Sequence, residues 1–186
     1  MGLLTNRATN ATTSDAAAIA ATLKPLGITF AVWGIDRVPA ELRGRNLSDA
    51  EKQQVLGFFK PEIDRLKAQG GYATADVISL YPDTPNLDAI SAKFDKKHIH
   101  TEDEVRFVVQ GRGVFRLFSD AQPAGWDIEL HPGEFISVPA RCKHLFYLCA
   151  DRQITCIRLF VDPAGWIAHY VDEGKQQFEA MTVGKR

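Results

Sequence analysis

The sequence predicts a mainly β protein, a small barrel or sandwich built by the second half of the chain with helices from the first half packed on its outside. Three observations lead there. From residue 98 onward, short apolar stretches of five to eight residues alternate with glycine, proline and aspartate, the texture of an all-β domain with frequent turns. Ahead of them lie segments with helix start and stop signals. A length of 186 residues, 45% of them hydrophobic, suits one domain with a sizeable core.

Taken in order, residues 1–13 are small and polar and read as a loosely held lead-in to a single domain over 14–186. Ser14 and Asp15 are placed to cap a short helix through Leu23, which Pro25 and Gly27 end. Ile28 to Ile35 has the β-branched and aromatic content of a strand. Ser48-Asp49-Ala50-Glu51 is a capping box, followed by Val55, Phe58, Phe59, Ile63 and Leu66 at helical spacing, with Pro61 expected to kink or split the helix. Ala75 to Tyr81 reads as a strand and Pro85 to Phe94 as a short helix, which completes a covering region over 14–96. The barrel is expected over 97–170, with strands at Val105 to Val109, Val114 to Phe118, Trp126 to Leu130, Glu134 to Val138, Lys143 to Leu148 and Ile154 to Val161, and a tail over 171–186.

Composition excludes several partners. A formal net charge of -1 offers no footprint for a nucleic acid or an anionic membrane. The longest apolar run, near Asp15 to Leu23, is too short to span a bilayer, Asn6 breaks the myristoylation pattern after Gly2, and no secretory or transit signal stands out. Three cysteines, Cys142, Cys149 and Cys156, are an odd number without a Cys-x-x-Cys pair, which suits reduced thiols in a cytoplasm. A monomer is expected.

The chemistry concentrates in His98-Ile-His-Thr-Glu-Asp-Glu-Val-Arg106. Read as one strand, His98, His100, Glu102, Glu104 and Arg106 share one face, while Ile99, Val105, Phe107 and Val109 share the other and need a cover. Two imidazoles two residues apart and a carboxylate four further on are donors at metal-ligand spacing. Of the remaining histidines, His131 sits in a His-Pro-Gly turn and His169 near the C-terminus, both ordinary surface placements. His144 opens a strand after Gly133 and Pro139, and in a barrel that strand can lie beside His98 and His100. Three imidazoles and one glutamate across two strands point to a metal.

The patterns His98-x-His100-x3-Glu104-x6-Gly111 and Gly133-x5-Pro139-x4-His144 resemble the two metal-binding motifs of the cupin superfamily. Phe94 through Arg106, Ser137-Val138-Pro139-Ala140, Ile157-Arg158-Leu159-Phe160 and Gly165-Trp166-Ile167-Ala168 resemble the acireductone dioxygenase family in particular. Arg141 stands where many cupins have glycine, Leu148 where asparagine is frequent, and Lys97 where bacterial relatives are expected to have an acidic residue. The resemblance implies a cupin double-stranded β-helix, a jelly-roll-like barrel, holding one Fe(2+) or Ni(2+) per chain on His98, His100, Glu104 and His144, with two coordination positions left for an enediol substrate. Structural zinc usually closes with four ligands and prefers thiolate, so the absence of cysteine ligands argues against it.

The resemblance also implies that Arg106 acts in catalysis by meeting the anionic substrate, that Phe94, Phe146, Arg158 and Trp166 line the substrate site, and that Asp103 couples the ligands to the loops around them, with Lys97 the other candidate beside the ligand set. Residue by residue, the plainer alternative is that Arg106 and Arg158 each pair with a buried carboxylate such as Glu102 or Asp103. The implied substrates are 1,2-dihydroxy-3-oxo-5-(methylthio)pentene and O2, in methionine salvage. The implied products are formate and 4-methylthio-2-oxobutanoate with iron, or formate, carbon monoxide and 3-methylthiopropanoate with nickel. A non-redox cupin isomerase and a non-catalytic ligand-sensing cupin are the alternatives from other classes.

Overall fold

The computed structural model describes residues 1–162, 167–172 and 175–182. The elements run β1 (Leu3–Asn6), β2 (Thr12–Thr13), α1 (Ala16–Leu23), β3 (Thr29–Val32), α2 (Asp49–Phe58), α3 (Lys60–Gly70), β4 (Thr74–Leu80) and α4 (Leu87–Ser91). They continue with β5 (His98–Ile99), β6 (Glu104–Gly111), β7 (Gly113–Leu117), β8 (Trp126–Leu130), β9 (Glu134–Val138), β10 (His144–Leu148), β11 (Ile154–Phe160), β12 (Ile167–Asp172) and β13 (Lys175–Thr182). One sheet has the order β13-β12-β5-β10-β7-β8-β1-β2 and the other β3-β9-β6-β11-β4. The pairings are antiparallel and the helices few, as expected of a mainly β barrel.

Between the two sheets lies one core, containing Val108, Phe115, Leu117, Ile128, Ile136 and Cys156. The other face of the β6 sheet needs its own cover, as the alternation along β6 requires. Val105, Phe107 and Val109 pack there with Val55, Phe59 and Ile63 of the helical region. Phe59 tilts against Phe107 at 4.5 Å between ring centroids, and Trp33 stacks on Phe107 and Phe135 at 4.8 and 4.6 Å. Such ring pairs add to the apolar area they bury.

The helix signals are met locally. Asp15 accepts from the Ala18 amide at 2.7 Å, and Ser48 and Glu51 form the reciprocal capping box. Pro61 splits rather than kinks the second helical region: α2 ends at Phe58, and the proline occupies the first turn of α3, where its missing N–H costs nothing.

Three expectations are corrected. Residues 1–13 are not a loose lead-in. Leu3 to Asn6 pair with β8, Leu4 is buried, and the Gly2 amide donates to the buried Glu134 carboxylate. Within the expected tail, residues 171–172 end β12 and residues 175–182 form β13. Finally, His98 to Arg106 is not one strand. The chain leaves β5 in the larger sheet and enters β6 in the smaller one, turning at 100–103. Glu102 turns out of the line, its carboxylate accepting from the Val161 and Asp162 amides at 2.7 and 3.0 Å.

Gly111 closes the tight link from β6 to β7 with φ +73°, and a Cβ there would run into the Gln153 backbone carbonyl. Gly111→Ala is expected to cost about 2–4 kcal/mol, since both the backbone conformation and the space refuse a side chain. The midpoint of denaturant unfolding measures it.

No helix among the described residues is long and apolar enough to cross a membrane.

Candidate metal centre

Strand pairing brings the imidazoles together. His98 of β5 lies directly across from His144 at the start of β10, and their rings sit 4.4 Å apart between centroids. His100 follows two residues on, 4.9 Å from the His98 ring and 5.2 Å from His144. Glu104 enters from the opposite sheet at the first residue of β6. One of its oxygens, Oε2, is 3.0 Å from His100 Nε2 and 2.9 Å from His144 Nε2. One donor atom from each of the four side chains fits within 4.8 Å of the others, and all four residues are buried.

The tautomers are fixed from outside the cluster. Each ring donates its Nδ1–H to a backbone carbonyl: His98 to Lys96 at 2.7 Å, His100 to Ile167 at 2.7 Å and His144 to Cys142 at 2.8 Å. That leaves the Nε2 lone pairs directed inward, the arrangement by which proteins orient metal-ligating histidines. His98 Nε2 is buried without a hydrogen-bond partner among the described residues, which a structure tolerates only where something else satisfies the atom. Three imidazole nitrogens and a carboxylate oxygen with no thiolate fit a divalent ion of the iron, nickel, cobalt or manganese kind.

Charge is arranged around the carboxylate. Burial alone would push Glu104 up, but the Arg106 guanidinium, with Nε 2.6 Å from Oε1, and the His100 and His144 rings hold it well below the usual carboxylate range. Arg106 is raised in turn: burial pulls it down, but the charge and hydrogen bond of Glu104 together with Cys156 outweigh that. Burial, reinforced by the His144 ring, lowers His98 to about 4. His100 suffers the same burial, yet its bond to Glu104 raises it.

The two shifts predict how ion uptake depends on pH. Below the raised pKa of His100, a proton must be expelled for each ion bound, so apparent affinity should fall about tenfold per pH unit. The His98 ring contributes a proton only as the pH nears 4. Calorimetric titration of the ion-free protein in buffers of different ionisation heat counts the protons released.

The remaining candidates fall as follows. Arg106 is buried on the inward face of β6, beneath the ring of Phe146 at 4.6 Å and near Phe94 at 5.8 Å. Arg106, Arg158, Phe94 and Phe146 line one apolar cavity with Ile78 and Leu80. Arg158 is paired, but with Asp76 across the β4–β11 ladder, at 2.9 and 2.5 Å, and not with Glu102 or Asp103. Asp103 accepts from the Ala140 amide at 2.9 Å and from the Tyr72 hydroxyl at 3.3 Å, while the Arg141 amide donates to the backbone carbonyl of His100 at 2.9 Å. These bonds tie the turn between β5 and β6 to the turn that delivers His144. The Lys97 ammonium lies 4.2 Å over the Phe118 ring. Trp166 lies outside the described residues. His131 binds Glu129 at 2.9 Å, and His169 pairs with Ile99 on β12.

Sequence reasoning missed Phe115, 5.6 Å from the Arg106 guanidinium, and Cys156 beside it. Both look like ordinary core residues on apolar strands. Asp76 was missed as well, its only signal being a carboxylate inside a strand.

Comparison with known proteins agrees with this geometry. The model of the ARD/ARD' family matches residues 20–168. The acireductone dioxygenase of Geobacillus thermodenitrificans is 42% identical over 159 residues, 85% of this chain and 88% of that protein. The acireductone dioxygenase of Exiguobacterium sibiricum is 42% identical over 163 residues, 87% of this chain and 90% of its own length. Among solved structures, acireductone dioxygenase from Bacillus anthracis with a cadmium ion in its active centre superposes with a TM-score of 0.87 at 37% identity, covering 91% of this chain and 98% of that one. Matched over most of its length in sequence and in fold, with the four ligand residues gathered at one point, this chain belongs to the acireductone dioxygenase family.

Proposed function

We propose that the protein cleaves 1,2-dihydroxy-3-oxo-5-(methylthio)pentene with O2, as a monomeric cytoplasmic enzyme of methionine salvage. The observation that carries this reading is the shared carboxylate of Glu104, which faces two inward imidazole nitrogens with one oxygen and the Arg106 guanidinium with the other. A divalent ion held by His98, His100, Glu104 and His144 would supply positive charge to gather and orient an anionic enediol. With three neutral imidazoles and one carboxylate, ion and Arg106 together leave a net charge of about +2, matched to a dianion. Arg106 favours the deprotonated substrate because a buried cation within hydrogen-bond reach stabilises the charged form of its neighbour. Phe94, Phe146 and Trp166 are assigned to the methylthioalkyl tail, supported by the apolar cavity that the first two share with Arg106. Arg158, at the same cavity, meets the substrate while Asp76 holds it in place.

Balance follows from the bonds broken. Both atoms of one O2 enter the products: breaking the C1–C2 bond alone gives formate and 4-methylthio-2-oxobutanoate with Fe(2+), and breaking both C1–C2 and C2–C3 gives formate, carbon monoxide and 3-methylthiopropanoate with Ni(2+). Anaerobic loading with each ion, followed by addition of substrate and oxygen, should give one O2 consumed per enediol and two product sets. Identical products from both ions would remove the metal dependence. Turnover without oxygen uptake would instead identify a non-redox isomerase.

A further inference from the structure

Arg106 is gripped from two sides. On one, Nε donates to Glu104; on the other, Nη1 donates to the sulfur of Cys156 at 3.7 Å. The thiol is wholly buried on β11, the strand that pairs with β6. The pairing register shifts by one residue between Thr155 and Cys156, so that Cys156 comes opposite Val108 and Arg158 opposite Arg106. Such a bulge re-aims side chains. Here it sets the inward face of β11 against the inward face of β6, and Cys156 becomes the diagonal neighbour of Arg106.

We propose that Cys156 is a positioning residue for the reaction, fixing the plane of the Arg106 guanidinium through Nη1 while Glu104 fixes it through Nε. The inference rests on the reading of Arg106 as the cation that meets the substrate. A guanidinium held at a single nitrogen can swing about that bond, whereas two anchors at Nε and Nη1 define its plane. The rings of Phe146 at 4.6 Å and Phe115 at 5.6 Å leave that plane little room. The kind of acceptor matters too. A second carboxylate would cancel the charge that Arg106 brings to an anion, and an apolar side chain would give no direction. A thiol does neither: burial raises its pKa against the pull of Arg106 and Arg158, which keeps it neutral.

The test compares Cys156→Ser, which keeps an acceptor, with Cys156→Val, which fills the space without one, in the iron-loaded enzyme. Both should retain about one ion per chain by elemental analysis. Cys156→Val is expected to lose about tenfold or more in kcat and to bind an unreactive enediol analogue about tenfold more weakly, with the acid limb of the kcat profile moved to higher pH. Cys156→Ser should stay within about threefold of the parent and keep the limb in place. Equal kcat and pH limb in Cys156→Val and the parent would overturn the proposal. So would equal impairment of both variants with only a lowered Tm, the signature of packing alone. Arg106→Ala is run alongside: full turnover there removes the reading of Arg106 and the role of Cys156 with it, whereas an inactive Arg106→Ala beside a fully active Cys156→Val removes only the latter.

Discussion

Glu104→Gln is expected to yield a folded protein that purifies almost free of metal, with turnover down by more than about a hundredfold. Glu104 is the anionic member of the ligand set, and it is buried between His100, His144 and Arg106. Glutamine keeps the shape. Its amide oxygen can still accept from Arg106, and its NH2 can donate to the inward lone pair of an imidazole, so the hydrogen bonds of the ion-free core survive while the charge that draws a divalent ion is gone. Glu104→Ala separates the two roles. It also loses the ion, and in addition leaves a fully buried guanidinium without its carboxylate, a break that costs about 3–5 kcal/mol. Elemental analysis together with thermal unfolding of both variants beside the ion-free parent distinguishes them: low metal with a modest drop for glutamine, which keeps the hydrogen bond to Arg106 but not the charge, and low metal with a large drop for alanine.

Arg106→Ala is expected to behave in the opposite way, retaining about one ion per chain while turnover falls by about 10²–10³, the size of effect seen when one preorganised donor is removed from a developing charge. The carboxylate left behind is not stranded in the loaded protein, because an ion held by His98, His100, Glu104 and His144 neutralises it. The loss should therefore appear in kcat as well as KM, and Arg106→Lys should recover only part of it, since an ammonium cannot reproduce a planar fork held at two nitrogens. Metal analysis beside steady-state kinetics checks this. A variant that comes out metal-free would make Arg106 a structural partner of Glu104.

The ligand set was legible in the sequence because its signal is chemical. His98, His100, Glu104 and His144 are donor types in places where a strand face would otherwise carry lysine, threonine or serine, and their spacing survives an error about how the chain runs. The error was real. Glu102 keeps the polar parity of His98, His100 and Glu104 and so masks the crossing, although Thr101 and Asp103 already break the apolar parity of Ile99 and Val105 where the chain passes from one sheet to the other. Sheet membership is decided by partners far along the chain, which also explains why residues 1–13 looked loose: Leu4 gains its burial from β8, more than a hundred residues away. The barrel itself was readable because its strands are short, apolar and punctuated by turn residues. Positions such as Phe115 and Cys156 were not, because a residue that packs and a residue that also orients Arg106 have the same appearance in one dimension.

The crossing at 100–103 sets how the site answers to heat and to mechanical slack. With His98 and His144 on one layer and Glu104 on the other, an ion that joins them is a rivet through two plates, adding stability by binding only when the plates are closed. Occupancy and sandwich closure are then one variable rather than two, and a substitution anywhere that lets the layers drift apart would reach the chemistry as a leak of metal before it showed as unfolding.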